Sequence, residues 1–207
     1  MALVKYNNNS ISAVTAAASI PSGSLVPIKT LTASSSATLS FVHGTDGVVL
    51  DSTYPIYKFE FINIHPATND VEFQFNFSID GGSNYNVTKT TTAFESYHKE
   101  DGSAADVAYL SDSDLAQSTS NQKLTRRTGN NNDESASGYL DLYNPSSTTF
   151  VKHFISRVHS YHQSDIAYTM FVAGYGNTTS AINAVKFVMS SGNIDAGKIK
   201  LYGIKDS

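Results

Sequence analysis

The sequence has 207 residues, a formal net charge of −4 and no cysteine. The missing thiols exclude disulfide frameworks, thiolate-bound zinc, iron–sulfur clusters and cysteine nucleophiles. The scattered lysines and arginines form no basic surface, so neither nucleic acid nor a membrane is expected as a partner. At this length folding buries roughly 70% of the surface that the unfolded chain exposes, so no metal or cofactor is needed for stability and none is predicted.

The first 24 residues are poor in core-forming side chains and rich in Asn, Ser and Ala. We predict that residues 1–24 form an extended arm, because so sparse a segment becomes ordered only by lying on a partner. The apolar side chains available as anchors are Leu3, Val4, Tyr6, Ile11, Val14 and Ile20. Residues 11–25 are too polar for a membrane span, and the start of the chain lacks the pattern of a secretion signal, so no signal peptide is expected.

From residue 25 onward, alternating apolar residues predict β-strands. One face of residues 57–64 is predicted to carry Tyr57, Phe59, Phe61 and Asn63, with Ile62 and Ile64 on the other. The core face of residues 71–79 is predicted to carry Val71, Phe73, Phe75, Phe77 and Ile79. Turn-forming residues separate these two segments, so we predict that they pair as antiparallel neighbours.

Shorter apolar runs continue this pattern along the chain. The predicted strands are residues 25–31, 38–42, 57–64, 71–79, 85–92, 139–143, 150–158, 166–172, 184–189 and 198–204. Residues 95–132 are dominated by acidic and small polar side chains and are predicted to form one long loop. The sequence therefore predicts an all-β fold, with a single antiparallel β-sandwich, jelly-roll-like, over residues 25–207 and an extended N-terminal arm before it.

Two groups of side chains are candidates for metal sites. His153 and His159 share a face of a predicted strand but lie about 20 Å apart, and His162 faces the other way, so ordinary surface histidines are favoured over a zinc site. An acidic group is formed by Glu95, Glu100, Asp101, Asp106, Asp112 and Asp114. Without a calcium-loop pattern, a solvated loop is favoured there, and no metal ligand is predicted.

The sequence also lacks a pattern for catalysis. It holds no Gly-x-Ser-x-Gly nucleophile elbow and no marked pair of carboxylates. Its Gly174 and Gly176 lie between two predicted strands rather than at the start of a helix, where a phosphate would bind. We therefore predict that the protein is not an enzyme and has no catalytic residue.

Exposed tyrosines are the remaining candidates for contact with a partner. Tyr97, Tyr109, Tyr161 and Tyr175 are interleaved with hydrogen-bonding side chains. Such rings stack on sugars or anchor protein interfaces, because each combines an apolar ring with a polar hydroxyl. Packing against the core is the alternative for each of them.

Four segments resemble a known group of proteins. They are residues 1–10 (MALVKYNNNS), residues 57–64, the hairpin at residues 78–85 (SIDGGSNY) and the closing residues 191–204 (SGNIDAGKIKLYGI). Together they resemble small β-sandwich virion structural proteins of tailed bacteriophages, especially those of marine cyanophages. Similar hairpins and endings occur in capsid decoration, tail and fibre-associated proteins.

The resemblance implies a structural role, a β-sandwich fold and assembly with copies of itself and with other virion proteins. A homo-oligomer is expected, with a trimer as its expected state by analogy with phage appendages. The expected location is the virion, after synthesis in the host cytoplasm. The alternative function is a carbohydrate-binding module that recognises host surface glycans, because β-sandwiches of this size host both roles.

Overall fold

The computed structural model describes residues 24–206, and each regular element in this range is a β-strand. The strands are β1 (Leu25–Thr32), β2 (Leu39–Val42), β3 (Ile56–Pro66), β4 (Phe73–Ser78), β5 (Lys89–Lys99), β6 (Ala105–Tyr109), β7 (Gln122–Lys123), β8 (Ala136–Tyr143), β9 (Lys152–His162), β10 (Ile166–Gly176), β11 (Ala184–Met189) and β12 (Ile194–Ile204). They form two antiparallel sheets that pack together, which confirms the predicted all-β sandwich. The jelly-roll connectivity stays a prediction.

The two sheets differ in size. The larger contains eight strands in the order β1-β12-β3-β8-β9-β10-β5-β6, and the smaller contains four in the order β2-β11-β4-β7. The described chain enters and leaves at one edge of the larger sheet, where Lys205 N donates a hydrogen bond of 2.9 Å to Ser24 O. Residues 1–23 lie outside the described residues, and with them the six predicted anchors of the arm.

Phenylalanine rings fill the space between the sheets. Phe187 of β11 lies 5.3 Å from Phe59 and 5.2 Å from Phe61 of β3 and stacks on Phe73 of β4 at 5.7 Å between ring centroids. All four side chains are buried. The alternation that predicts core residues in residues 71–79 is confirmed for Phe73, and equally for Val71, Phe75 and Phe77. Ile79 is 42% exposed because β4 ends at Ser78.

The predicted faces of β3 are correct up to Phe61 and wrong beyond it. Asn63 has a φ of 49° and is exposed, and Ile64 is fully buried. The cause is a β-bulge: an extra residue in β3 shifts its pairing with β8 and turns Ile64 into the core. On the facing strand Gly197 has a φ of 113°, and a Cβ there would lie 2.4 Å from Asn63 O, so the bulge requires glycine.

The predicted pairing of residues 57–64 with residues 71–79 is wrong. β3 belongs to the larger sheet and β4 to the smaller one, so the turn between them crosses from one sheet to the other. The two strands still meet, since the rings of Phe61 and Phe73 contact each other edge to face at 5.1 Å. Both strands bury their apolar faces in the core between the sheets. The alternation of apolar residues is therefore the same as it would be if the two strands were hydrogen-bonded neighbours.

The prediction of one long loop at residues 95–132 is also wrong. β5 continues to Lys99, β6 pairs with it, and β7 pairs with β4. The polar residue Glu95 occupies an inward position of β5 and is buried there beside Arg126. Because a carboxylate stands at a position where the strand pattern requires an apolar residue, apolar alternation does not predict a strand here.

Candidate interaction surface

One face of the larger sheet covers the core, and the other points away from the smaller sheet. We call the second one the outer face. Along β9 the side chains alternate between buried and exposed positions, and the same alternation continues on the neighbouring strands. The outer face is therefore a broad surface built on strands whose inner sides are fixed by the core.

The half of the outer face that lies on β12, β3 and β8 carries most of its charges, and several of them contact one another. Lys58 Nζ lies 2.8 Å from Asp141 Oδ1 and 3.8 Å from the ring centroid of Tyr139. The hydroxyl of Tyr202 donates to Glu60 Oε2 at 3.4 Å. In this half, Lys58, Asp141, Tyr202 and Glu60 thus have partners within the chain.

The half that lies on β9, β10, β5 and β6 carries an apolar patch among polar side chains. Its exposed large apolar side chains are Phe94 (46%), Val107 (69%), Tyr109 (58%) and Ile155 (48%). Phe94 stacks on Phe171 at 4.7 Å and an interplanar angle of 6°. We call this region, defined by these four residues and Phe171, the apolar half.

The strand register places a continuous row of side chains across the apolar half. Arg157 pairs with Phe171, Phe171 with Phe94, and Phe94 with Tyr109. The guanidinium of Arg157 lies 5.6 Å from the ring centroid of Phe171, within the range of a cation–π interaction. At the other end, the hydroxyl of Tyr109 donates to Asp114 Oδ2. The row thus begins with a cation and ends with an aromatic ring next to a carboxylate.

A shallow cavity of about 470 Å³ lies beside this row. Tyr143, His153 and Tyr175 line it, together with the hydroxyl-bearing residues Thr90 and Thr92. The rings of His153 and Tyr175 contact each other edge to face at 6.2 Å. Its volume falls within the range of small-molecule sites, and its mixture of aromatic rings and hydroxyl groups is typical of them.

The four tyrosines predicted as partner contacts do not converge. Tyr175 lines the cavity, and Tyr109 ends the row. Tyr161 lies on the outer face, where it pairs with Ala167, eight residues or about 27 Å along β10 from Tyr175. Tyr97 pairs with the buried Tyr168 and is half-buried against the core.

The histidines lie as the strand parity predicts. His153 and His159 are exposed on the outer face, whereas His162 is buried on the inner side. His159 Nδ1 lies 3.1 Å from the hydroxyl of Thr169. Among residues 24–206 no group of three His, Asp or Glu side chains is arranged to hold a metal ion. No helix in this part of the chain has the length and apolar character to cross a membrane.

A second, smaller cavity of about 190 Å³ collects ionisable side chains on the inner side of β5. Arg126 contacts Glu95 Oε2 at 3.5 Å and Asp112 Oδ2 at 2.8 Å. Burial raises the pKa of the Glu95 carboxyl, and Arg126 opposes this shift. Burial also lowers the pKa of His162. The carboxylates of Glu95 and Asp112 share the guanidinium of Arg126, and these contacts tie the chain that follows β6 to β5.

Sequence reasoning missed the central residues of the outer face. Phe94 falls between the strand predicted to end at residue 92 and the loop predicted to begin at residue 95, and Phe171 and Ile155 are predicted only as members of strands. One signal was available: β10 is apolar on both sides, since Phe171 stands between the buried Met170 and Val172. A strand that is apolar on both sides covers two surfaces, and only one of them is the core.

Comparison with known proteins yields no match. No family model, no curated protein and no solved structure matches this chain.

Proposed function

We propose that this chain is a non-enzymatic structural protein of a bacteriophage particle, a capsid- or tail-associated subunit that assembles with copies of itself and with other virion proteins. It is made in the host cytoplasm and carried in the virion. The proposal is supported by the phage-like segments of the sequence, among them the hairpin at residues 78–85. There the carboxylate of Asp80 accepts hydrogen bonds from Ser78 and Asn84, which fix the turn.

The observation that carries the proposal is the apolar half of the outer face. A contiguous apolar surface of this kind on a water-soluble domain marks a contact with another molecule. It lies on a rigid sheet rather than in a deep cleft, and its largest members are aromatic, the residue type that protein interfaces favour. A subunit that packs against neighbours in a particle requires such a surface.

The predicted arm supplies the first test. Deleting residues 1–22 should leave the far-ultraviolet circular dichroism spectrum of the sandwich unchanged, because β1 begins at Leu25. Incorporation into particles should fall by about tenfold or more, since apolar anchors contribute roughly 1.5 to 3 kcal/mol each. Incorporation is measured by complementing a phage that lacks the gene.

A matched control replaces residues 1–22 with a Gly/Ser segment of equal length. If the Gly/Ser variant and the deletion variant are both incorporated into particles at the level of the full-length chain, the arm has no role in assembly.

The cavity next to the apolar half favours a second candidate function, the binding of a host surface glycan. Tyr143 and Tyr175 stand at its sides, and aromatic rings stack on the apolar faces of sugars. Thr90 and Thr92 add hydroxyl groups to its wall. Of the four tyrosines named from the sequence, Tyr175 is the one that this site uses.

A glycan array followed by calorimetry tests this candidate. Tyr175→Ala should weaken binding by about fivefold, because a stacked ring contributes on the order of 1 kcal/mol. Tyr109→Ala, which changes an exposed tyrosine outside the cavity, should bind as the unaltered chain does. No binding by the folded chain at millimolar glycan removes this candidate.

A further inference from the structure

The apolar half is nearly free of charge. Among the outward side chains of β5, β6, β9 and β10, Arg157 is the one with a full charge at neutral pH, and its guanidinium lies over the ring of Phe171. The other half of the outer face carries Lys58, Glu60 and Asp141. A partner for the apolar half therefore presents an apolar surface of its own.

The apolar half is the size of an interface core. Its five side chains span four strands at about 4.8 Å spacing and, from the register of Ile155 to that of Val107, five residues at about 3.4 Å per residue, or roughly 20 Å by 17 Å. A standard protein interface buries about 800 Å² on each side and surrounds an apolar core with a polar rim, and outward polar side chains of the same strands, such as Thr169 and His159, border this region.

The row of four side chains is complementary to itself. A two-fold axis between Phe171 and Phe94 reverses the row, so that each of these rings faces the other ring of the second copy. The same rotation places Arg157 of one copy over Tyr109 of the other, next to the carboxylate of Asp114. Arg157 then makes a cation–π contact with the ring of Tyr109 and an ion pair with Asp114 of the other copy.

We infer that the apolar half binds a second copy of this chain face to face, with the row Arg157–Phe171–Phe94–Tyr109 crossing its counterpart about a two-fold axis. This inference rests on the proposed function, whose self-assembly it assigns to one surface. The basic unit is then a two-fold dimer, and not the trimer that is expected by analogy with phage appendages. Phe94 and Phe171 form the centre of the contact, and Arg157 and Asp114 set its orientation.

Sedimentation equilibrium of the full chain tests the inference. The unaltered chain should sediment as a dimer, and Phe94→Lys should weaken association by about 30-fold or more while the circular dichroism spectrum is retained, because a central aromatic contact contributes 2 kcal/mol or more. Phe150→Lys is the matched control: Phe150 is 70% exposed but lies before β9, outside the apolar half, and its replacement should leave the dimer intact.

Charge reversal tests the orientation. Arg157→Glu and Asp114→Arg should each weaken the dimer by about tenfold, and the double variant should restore it, because the ion pair is rebuilt with its charges exchanged. A monomer or a trimer for the unaltered chain, an unchanged dimer in Phe94→Lys, or no rescue in the double variant overturns the inference. A dimer that is absent from particles would instead refute the proposed function and leave this contact standing.

Discussion

Phe187→Ala should lower the free energy of unfolding by about 3 to 5 kcal/mol, the range for removing a buried aromatic ring. Phe187 is fully buried and contacts rings from both sheets, among them Phe59 and Phe61 on one side and Phe73 on the other. Its removal leaves a cavity at the point where the sheets are joined. Because no disulfide supports the fold, this loss is a large part of a typical domain's stability.

Urea denaturation followed by fluorescence and circular dichroism measures the effect. Phe150→Ala is the control, since this ring is 70% exposed and its removal should change the free energy of unfolding by about 0.5 kcal/mol or less. Equal losses in the two variants would contradict the assignment of Phe187 to the centre of the core.

The second large effect concerns Lys89, which is fully buried at the start of β5. Its Nζ donates to Asn76 Oδ1 at 2.6 Å and to Val87 O at 2.8 Å, and both acceptors are neutral oxygens. Burial lowers the pKa of Lys89 to about 7. The folded protein therefore holds this amine partly uncharged at neutral pH, whereas the unfolded chain holds it protonated.

The consequence is a stability that rises with pH. Between about pH 7 and pH 10 the unfolded chain binds one proton more than the folded one at Lys89, so the free energy of unfolding should increase by about 4 kcal/mol across this window. Burial lowers the pKa of Lys152 as well, which acts in the same direction. Above pH 10 the trend reverses, because burial raises the pKa of Tyr57 to about 12 and the unfolded chain loses that proton first.

Lys89→Met tests the role of Lys89 in this pH dependence, because methionine has no titrating group and a side chain of similar length. We expect the variant to show a flat free energy of unfolding between pH 7 and pH 9.5, apart from the smaller contribution of Lys152. Lys198→Met, at an exposed position of β12, should keep the slope of the unaltered chain. A variant at position 89 with the same slope as the unaltered chain would show that Lys89 is charged in the fold.

Much of the fold is local in origin and could be predicted. The alternation of Phe73, Phe75 and Phe77 identifies a strand and its core face without any other information. The bulge at Asn63 could not be predicted, since it depends on Gly197 in a strand far along the chain. The continuation of β5 beyond residue 92 could not be predicted for a similar reason. Glu95 occupies an inward position because it pairs with Arg126, which lies far along the chain.

The candidate surface was less predictable than the fold. Tyr109 and Tyr175 could be named because hydrogen-bonding side chains surround them in the sequence, but the same signal also names Tyr97, which is half-buried against the core. The row that joins Arg157, Phe171, Phe94 and Tyr109 exists only once the register of four strands is set. Register depends on pairing between distant segments, and a shift of one residue would turn these side chains to the opposite face.

Quantitative mass spectrometry of gradient-purified particles tests the central claim most directly. If the chain is a structural subunit, its peptides should be present in particles at a constant ratio to the major capsid protein, and this ratio should survive repeated banding and a high-salt wash. If its peptides are found in lysates of infected cells and are lost from purified particles, the claim that this protein is part of the virion is wrong.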